Sequence, residues 1–277
     1  MRTLSLPMGS GVVHAVVEGP LDGSRPIALL LHGGHGSWRH WRANLSSLAR
    51  IVDPVAIDLP GYGDSSDVEA GLSLGEYAAV IDDALASLPP LAVIVGFSFG
   101  TLVGSEIARR RQTSVGFRGL VLINPPLGPE VTAEVLEILD QGARETRRGG
   151  LLAGVEVTQK RIMLSDPSKV NAQLLADAAE QVRRTRFKSR PISRSVDIRD
   201  LIRGLECSVH MVLGGCDPHQ RAALGSRLSQ YGALLGPARV HLVPQAAHWL
   251  AYEHPEVVES VVERLLAERE LGTNRVG

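Results

Sequence analysis

Ser98, Asp217 and His248 are the side chains whose types and surroundings could together carry out nucleophilic catalysis. Ser98 centres the segment Gly96-Phe97-Ser98-Phe99-Gly100, which follows an apolar run and precedes a helical pattern reaching Arg111. A serine on so sharp a strand-to-helix turn sits in strained backbone, and glycines two residues to either side give that turn room to pack. Its hydroxyl is thereby raised above the sheet edge at a helix N-terminus, where the backbone N–H of Phe99 can face a developing oxyanion. Asp217 lies in Gly214-Gly215-Cys216-Asp217-Pro218 after the run SVHMVL, and His248 in Val243-Pro244-Gln245-Ala246-Ala247-His248-Trp249 after another short run. Each stands just beyond the carboxyl end of a predicted strand, the edge at which open α/β sheets build ligand sites. The order is serine, acid after 119 residues, histidine after 31 more, as this turn demands. The chemistry would be acyl transfer to water: His248 takes the Ser98 proton, and Asp217 holds the imidazole tautomer.

A second oxyanion donor is expected from Leu30-Leu31-His32-Gly33-Gly34-His35-Gly36-Ser37-Trp38, where a strand runs into glycines. Gly34 is the candidate, because a residue without a Cβ brings its N–H close to a ligand. Arg39 stands where the third glycine of a dinucleotide fingerprint would be, and no Gly-Lys-Ser/Thr follows, so the loop is not read as a nucleotide site. His32 is expected to hold the loop by hydrogen bonds, and His35 to reach substrate, with Trp38 and Trp249 beside it. His40, His219, His241 and His254 show no metal-ligand spacing, and His-Glu-x-x-His is absent, so neither metal nor other cofactor is expected.

These loops need elements to hold them. Strands are predicted over 2–6, 12–18, 27–32, 52–57, 91–97, 119–124, 208–213 and 239–243, and helices over 39–49, 74–87, 99–111, 219–234 and 255–270. Runs such as Ile27 to Leu31 are apolar without alternation, as in strands covered on both faces. The alternation predicts an α/β fold with a mostly parallel eight-stranded sheet flanked by helices. It stops from Pro126 to Gly204, where the pattern is purely helical. The expected organisation is therefore a core of 1–125 and 205–277 with a helical cap of 126–204 inserted.

The 277 residues carry 29 Lys or Arg against 30 Asp or Glu, for a net charge of −1, which removes the basic excess that nucleic-acid binding uses. The first ten residues have no apolar signal core, and no apolar run is long enough for a membrane span. Cys207 and Cys216 flank one predicted strand and read as reduced thiols of a cytoplasmic protein, monomer or homodimer. Positive charge is local: residues 128–205 hold 14 basic against 11 acidic side chains, and Arg183, Arg184, Arg186, Lys188, Arg190 and Arg194 have no acid among them. Of the eleven aromatic rings, seven (Trp38, Trp41, Tyr62, Phe97, Phe99, Trp249, Tyr252) fall in or beside the site loops. From 118 to 230 Phe187 is the only one. A cleft with aromatic walls and an aliphatic roof is expected, favouring a small aliphatic acyl group.

Together these motifs resemble the α/β-hydrolase fold with a helical cap. Further matches are Asp58-Leu59-Pro60-Gly61-Tyr62-Gly63-Asp64-Ser65, similar to the family's loop after the fourth strand, and Glu253-His254-Pro255, similar to its terminal motif. Thr101 and Ala247 depart from positions where many relatives carry glycine. Some relatives place the acid after the sixth strand; here that site reads Asn124-Pro125-Pro126, which favours Asp217. The resemblance implies hydrolysis of an ester, thioester or lactone through Ser98. The serine argues against dehalogenase or epoxide hydrolase activity, whose relatives use aspartate there. Carbon–carbon hydrolysis of ring-fission dienoates is an alternative in which Arg183, Arg184 or Arg190 would hold a substrate carboxylate. So is methyl ester cleavage on an acyl carrier protein docked to the basic segment. A receptor-like binder without turnover is a third alternative.

Overall fold

A computed structural model describes residues 1–268 apart from Leu127 and Pro129. Its sheet has eight strands: β1 (Arg2–Met8), β2 (Gly11–Val17), β3 (Ile27–Leu31), β4 (Asp53–Ile57), β5 (Leu91–Phe97), β6 (Gly119–Ile123), β7 (Ser208–Gly214) and β8 (Val240–Val243). They lie side by side in the order β1-β2-β4-β3-β5-β6-β7-β8. β2 is antiparallel to both β1 and β4, and all other pairs are parallel. This is the expected mostly parallel eight-stranded α/β sheet. β3, β4, β5, β6 and β7 are buried along their full length, which is why they lack apolar-polar alternation.

The helices are α1 (Arg42–Leu48), α2 (Leu74–Ala84), α3 (Phe99–Arg111), α4 (Ala133–Gly149), α5 (Leu151–Thr158), α6 (Ala172–Arg183), α7 (Arg190–Ser195), α8 (Ile198–Ile202), α9 (Leu224–Leu235), α10 (Leu250–Glu253) and α11 (Pro255–Ala267). α2 starts at a capping box in which Ser73 and Glu76 satisfy each other's backbone N–H. The predicted helix over 39–49 is a short 3-10 turn, Trp38–Trp41, followed by α1, and that over 219–234 begins only at Leu224. The final helix ends at Ala267; the last two positions of its predicted span, Arg269 and Glu270, lie outside the described residues.

Two apolar layers sandwich the sheet. One joins residues of α2, α3, α8 and α9 to one face, the other those of α1, α10 and α11 to the opposite face. α4 to α8 all lie between β6 and β7, with a π-helical turn, Gln159–Met163, after α5. Val135, Ile138 and Ile162 form a small cluster within this insertion. Its last helix is different: Ile198 and Ile202 of α8 join the layer beneath α3.

The register sets the working edge. Leu31 is paired with Gly96, Phe97 with Ile123, Ile123 with Val212, and Gly214 with Val243. The carboxyl ends of β3, β5, β6, β7 and β8 therefore finish at one level, delivering the Gly33-Gly34 loop, Ser98, Asn124, Asp217 and the His248 loop to a common rim.

Candidate active site

Ser98 is the residue between β5 and α3, with φ 49° and ψ −118°. A serine at a helix N-cap ordinarily bonds the first-turn N–H groups; here the left-handed φ swings the hydroxyl away and no such bond forms. The glycines make this turn possible. A Cβ on Gly96 would lie 2.5 Å from the Gly100 carbonyl oxygen, and one on Gly100 would collide with the Leu31 carbonyl. The turn is pinned by the Ser98 N–H on the Ile123 carbonyl at 3.0 Å. Thr101 is accommodated: its hydroxyl donates to the Ser98 carbonyl at 2.6 Å.

The three predicted residues meet. Ser98 Oγ lies 3.1 Å from His248 Nε2, and His248 Nδ1 lies 2.7 Å from Asp217 Oδ2. Asp217 is fully buried, and its other oxygen accepts the His219 N–H at 2.9 Å. Burial pushes the Asp217 pKa up, but the His248 charge and hydrogen bond and the His219 N–H outweigh it, leaving the carboxyl below its ordinary value.

Gly34 and Phe99 both border the space above Ser98. Among the described residues no backbone carbonyl accepts from either N–H; for Phe99 that follows from its place in the first helical turn. The Gly33-Gly34 loop is held by His32, whose Nδ1–H donates to the Gly33 carbonyl at 2.7 Å and whose Nε2 accepts the Leu59 N–H at 2.9 Å. Both nitrogens are thereby used, and burial lowers the His32 pKa, so a neutral ring is held in one tautomer. Asp58 fastens the same loop: one oxygen accepts the Trp38 N–H, the other the Asp64 N–H, and His14 Nδ1 donates to it.

A cavity of about 610 Å³ opens over Ser98. Its floor includes His35, Phe99, His219, His248, Trp249 and Tyr252, and its roof mixes aliphatic side chains such as Val135, Leu139, Val155, Ile162 and Leu174 with polar ones such as Thr158, Gln159, Asn171, Asp177 and Gln181, in place of the expected aliphatic roof. Trp41, Tyr62 and Phe97, expected near the site, are core residues with at most 1% exposure.

Not every predicted substrate contact reaches this space. His35, Trp249 and Arg190 border it. Trp38 does not; Arg39 and Arg42 stack over its ring at 5.2 and 5.5 Å. Arg183 and Arg184 do not either. Arg183 pairs with Glu180, while Arg184 pairs with Glu180 and Asp64, which turns both away. Phe187 also turns inward, stacking on Tyr77 at 4.4 Å.

Several neighbours escaped the sequence reading. His219 has its ring 4.6 Å from that of His248, and burial, with the His248 charge, lowers its pKa to about 4. Fully buried Asn124 donates to the carbonyls of Ala247 at 3.0 Å and His248 at 2.8 Å, and accepts the Gly214 N–H at 2.8 Å. The π turn reaches the same loop: His248 N–H donates to Ile162 O at 3.1 Å and Trp249 N–H to Met163 O at 2.9 Å. Only the asparagine had a visible signal, an amide where some relatives carry the acid.

Two groups among the described residues have the compactness a metal ion would need, Asp217–His219–His248 and His14–Asp58–Asp64. The first brings His219, which shows no metal-ligand spacing in the sequence, beside two further donor side chains in space. In both, donor atoms are already engaged: Asp217 by His248 and the His219 N–H, Asp58 by His14 and two backbone N–H groups, and Asp64 by Arg184. No helix among the described residues is long and apolar enough to cross a membrane.

Residues 28–261 match the alpha/beta hydrolase family. The chain is 32% identical over 92 residues to a biotin biosynthesis bifunctional protein of Cellvibrio japonicus, a match covering 33% of this chain and 18% of that protein. It is 23% identical over 256 residues to a pimeloyl-[acyl-carrier protein] methyl ester esterase of Pseudoalteromonas atlantica, covering 88% of this chain and 95% of that one. A carboxylesterase of Bacillus subtilis superposes with a TM-score of 0.75 at 21% identity, covering 96% and 91% of the two chains, and so shares the fold.

Proposed function

The chain belongs to the alpha/beta hydrolase family and is a hydrolase, and from that premise we propose that it cleaves a carboxylic ester, thioester or lactone of a small acyl substrate through an acyl-enzyme on Ser98. The observation that carries this reading is the unbroken run of hydrogen bonds from Ser98 Oγ through His248 to buried Asp217, open on its serine side to the cavity. His248 Nε2 accepts the hydroxyl proton as Ser98 attacks, and Asp217 holds Nδ1–H and stabilises the imidazolium. The N–H groups of Gly34 and Phe99 receive the oxyanion, each worth about 3 to 4 kcal/mol of barrier. His248 returns the proton to the leaving group; water then enters, and the same steps release the acid. His35 and Trp249 border the acyl or leaving group, and Arg190 favours an anionic one.

In this reading 1–125 and 205–268 form the core and 126–204 a cap, with α8 as the part of the cap rooted in the core; the expected extension of the core to 277 lies outside the described residues. The free thiols of Cys207 and Cys216 fit a cytoplasmic location. The test is Ser98→Ala against short p-nitrophenyl esters: kcat/KM should fall by at least about 10⁴-fold, and unchanged hydrolysis by pure protein would overturn the assignment.

One observation favours a narrower substrate, a methyl ester carried on an acyl carrier protein. Among the described residues no carboxylate pairs with Lys188, Arg190 or Arg194, and the relative from Pseudoalteromonas atlantica bears the corresponding name. Docking of an acidic carrier there should weaken steeply between low and physiological salt; salt-insensitive binding would count against it.

A further inference from the structure

The roof of the cavity holds two side-chain carbonyls with nothing to bond. Gln159 opens the π turn and Gln181 lies on α6; they are 7% and 5% exposed and both border the cavity. The Oε1 atom of each is enclosed without a hydrogen-bond partner. For Gln181 the amide orientation is set, because its Nε2 donates to the Asp177 carbonyl at 3.2 Å. Exchanging its oxygen and nitrogen would lose that bond and oppose two carbonyls.

Buried amide oxygens are nearly always bonded, and leaving one bare is costly. A leucine has similar volume and would pack beside Val155, Ile162 and Leu174 without that cost. Val155, Ile162 and Leu174 of the roof carry no side-chain donor, and the hydroxyls of Thr158 and Thr146 are spent on the Val155 and Gly142 carbonyls. Gln159 is also fixed relative to the candidate triad, since the turn it opens accepts the His248 and Trp249 N–H groups through Ile162 and Met163. A donor bound there is held in register with the ester over Ser98.

We propose that Gln159 and Gln181 form a polar subsite accepting hydrogen bonds from neutral donors on the substrate, a hydroxyl or an amide N–H, so that the preferred ester bears such a group on its chain. The inference rests on the reading of Ser98 as nucleophile for the position of the cleaved bond. It replaces the expected plain aliphatic acyl group with an amphipathic one.

Three methyl esters test it by proton release: methyl heptanoate, methyl 6-hydroxyhexanoate, which exchanges the terminal methyl for a hydroxyl, and the methyl ester of N-acetyl-β-alanine. The enzyme should favour one donor-bearing ester over the heptanoate by about tenfold or more in kcat/KM. Which of the two wins identifies the donor. Gln159→Leu and Gln181→Leu should each collapse that ratio. Equal or better turnover of the heptanoate, or a ratio surviving both substitutions, overturns the proposal. Calorimetry on Ser98→Ala separates the two readings: tighter binding of 6-hydroxyhexanoic or N-acetyl-β-alanine acid than of heptanoic acid upholds the subsite even if no ester is turned over, and equal binding of all three defeats it.

Discussion

At the scale of single residues, strain is concentrated where chemistry is proposed. Ser98, His35 and Asn124 are non-glycine residues with φ between 44° and 56° at or beside the cavity, a conformation that persists only when its surroundings enforce it. For Asn124 the enforcement is visible: three hydrogen bonds tie the ends of β6 and β7 to the backbone of the His248 loop. Asn124→Ala should therefore lower kcat by about 10- to 100-fold with little change in KM, measured with a short ester. Asn124→Asp should do no better, because it sets a carboxylate oxygen against the Ala247 and His248 carbonyls. The elbow serine was legible in the sequence because its glycines are contiguous with it. For Asn124 the sequence marked only the position, an amide where some relatives carry the acid; its bonding role was not legible, since its partners lie 90 to 124 residues away.

Among the elements, the basic segment after α6 changes its meaning once folded. Read as text it was a charged surface; folded, its first half is a strap. Arg186 and Phe187 N–H groups both donate to Gly61 O at 2.8 and 3.1 Å, Arg186 bonds the Gly63 carbonyl, and Arg184 and Arg186 pair with Asp64 and Asp67. Phe187 adds the apolar anchor against Tyr77. Exposed ion pairs contribute at most about 1 kcal/mol each, so the ring should matter more than the charges. Phe187→Ala is expected to lower stability by about 2 kcal/mol and to speed proteolytic cleavage within α4 to α7 more than Arg186→Ala does, as read by urea unfolding and limited proteolysis. Besides the local Glu180, the acids paired with this run, Asp64 and Asp67, lie in the loop after β4, beyond what local charge counting could find.

The whole molecule carries a pH signature. His219 and His241 are both lowered to about 4: His219 by burial and the His248 charge, His241 by burial, His210 and Arg264, in a cluster where Glu268 bonds His210 and Arg239. An unfolded histidine titrates near 6.5. Between about 6.5 and 4 the folded state binds fewer protons than the unfolded one, so stability is complete above the upper value and is lost as pH falls toward the lower. The urea midpoint at pH 5 should thus lie below that at pH 7.5, and His241→Gln should flatten the difference. An equal midpoint at both values would show that these histidines titrate normally.

What the sequence by itself determined is what local pattern encodes. Unbroken apolar runs marked the parallel strands, the glycine-flanked serine marked a turn only glycine permits, and the chain order of Ser98, Asp217 and His248 placed the three at strand ends. Tertiary structure alone decided which side chains the cavity keeps. Arg183 is drawn away by nearby Glu180, Arg184 by Glu180 and distant Asp64, and Trp38 by stacking, while His219, Gln159 and Gln181 are brought in and Asn124 is set against the His248 loop. The physical reason is that a helix or strand dictates which way a side chain points, but which charges and orphaned amides meet is set by how the insertion closes over the sheet edge.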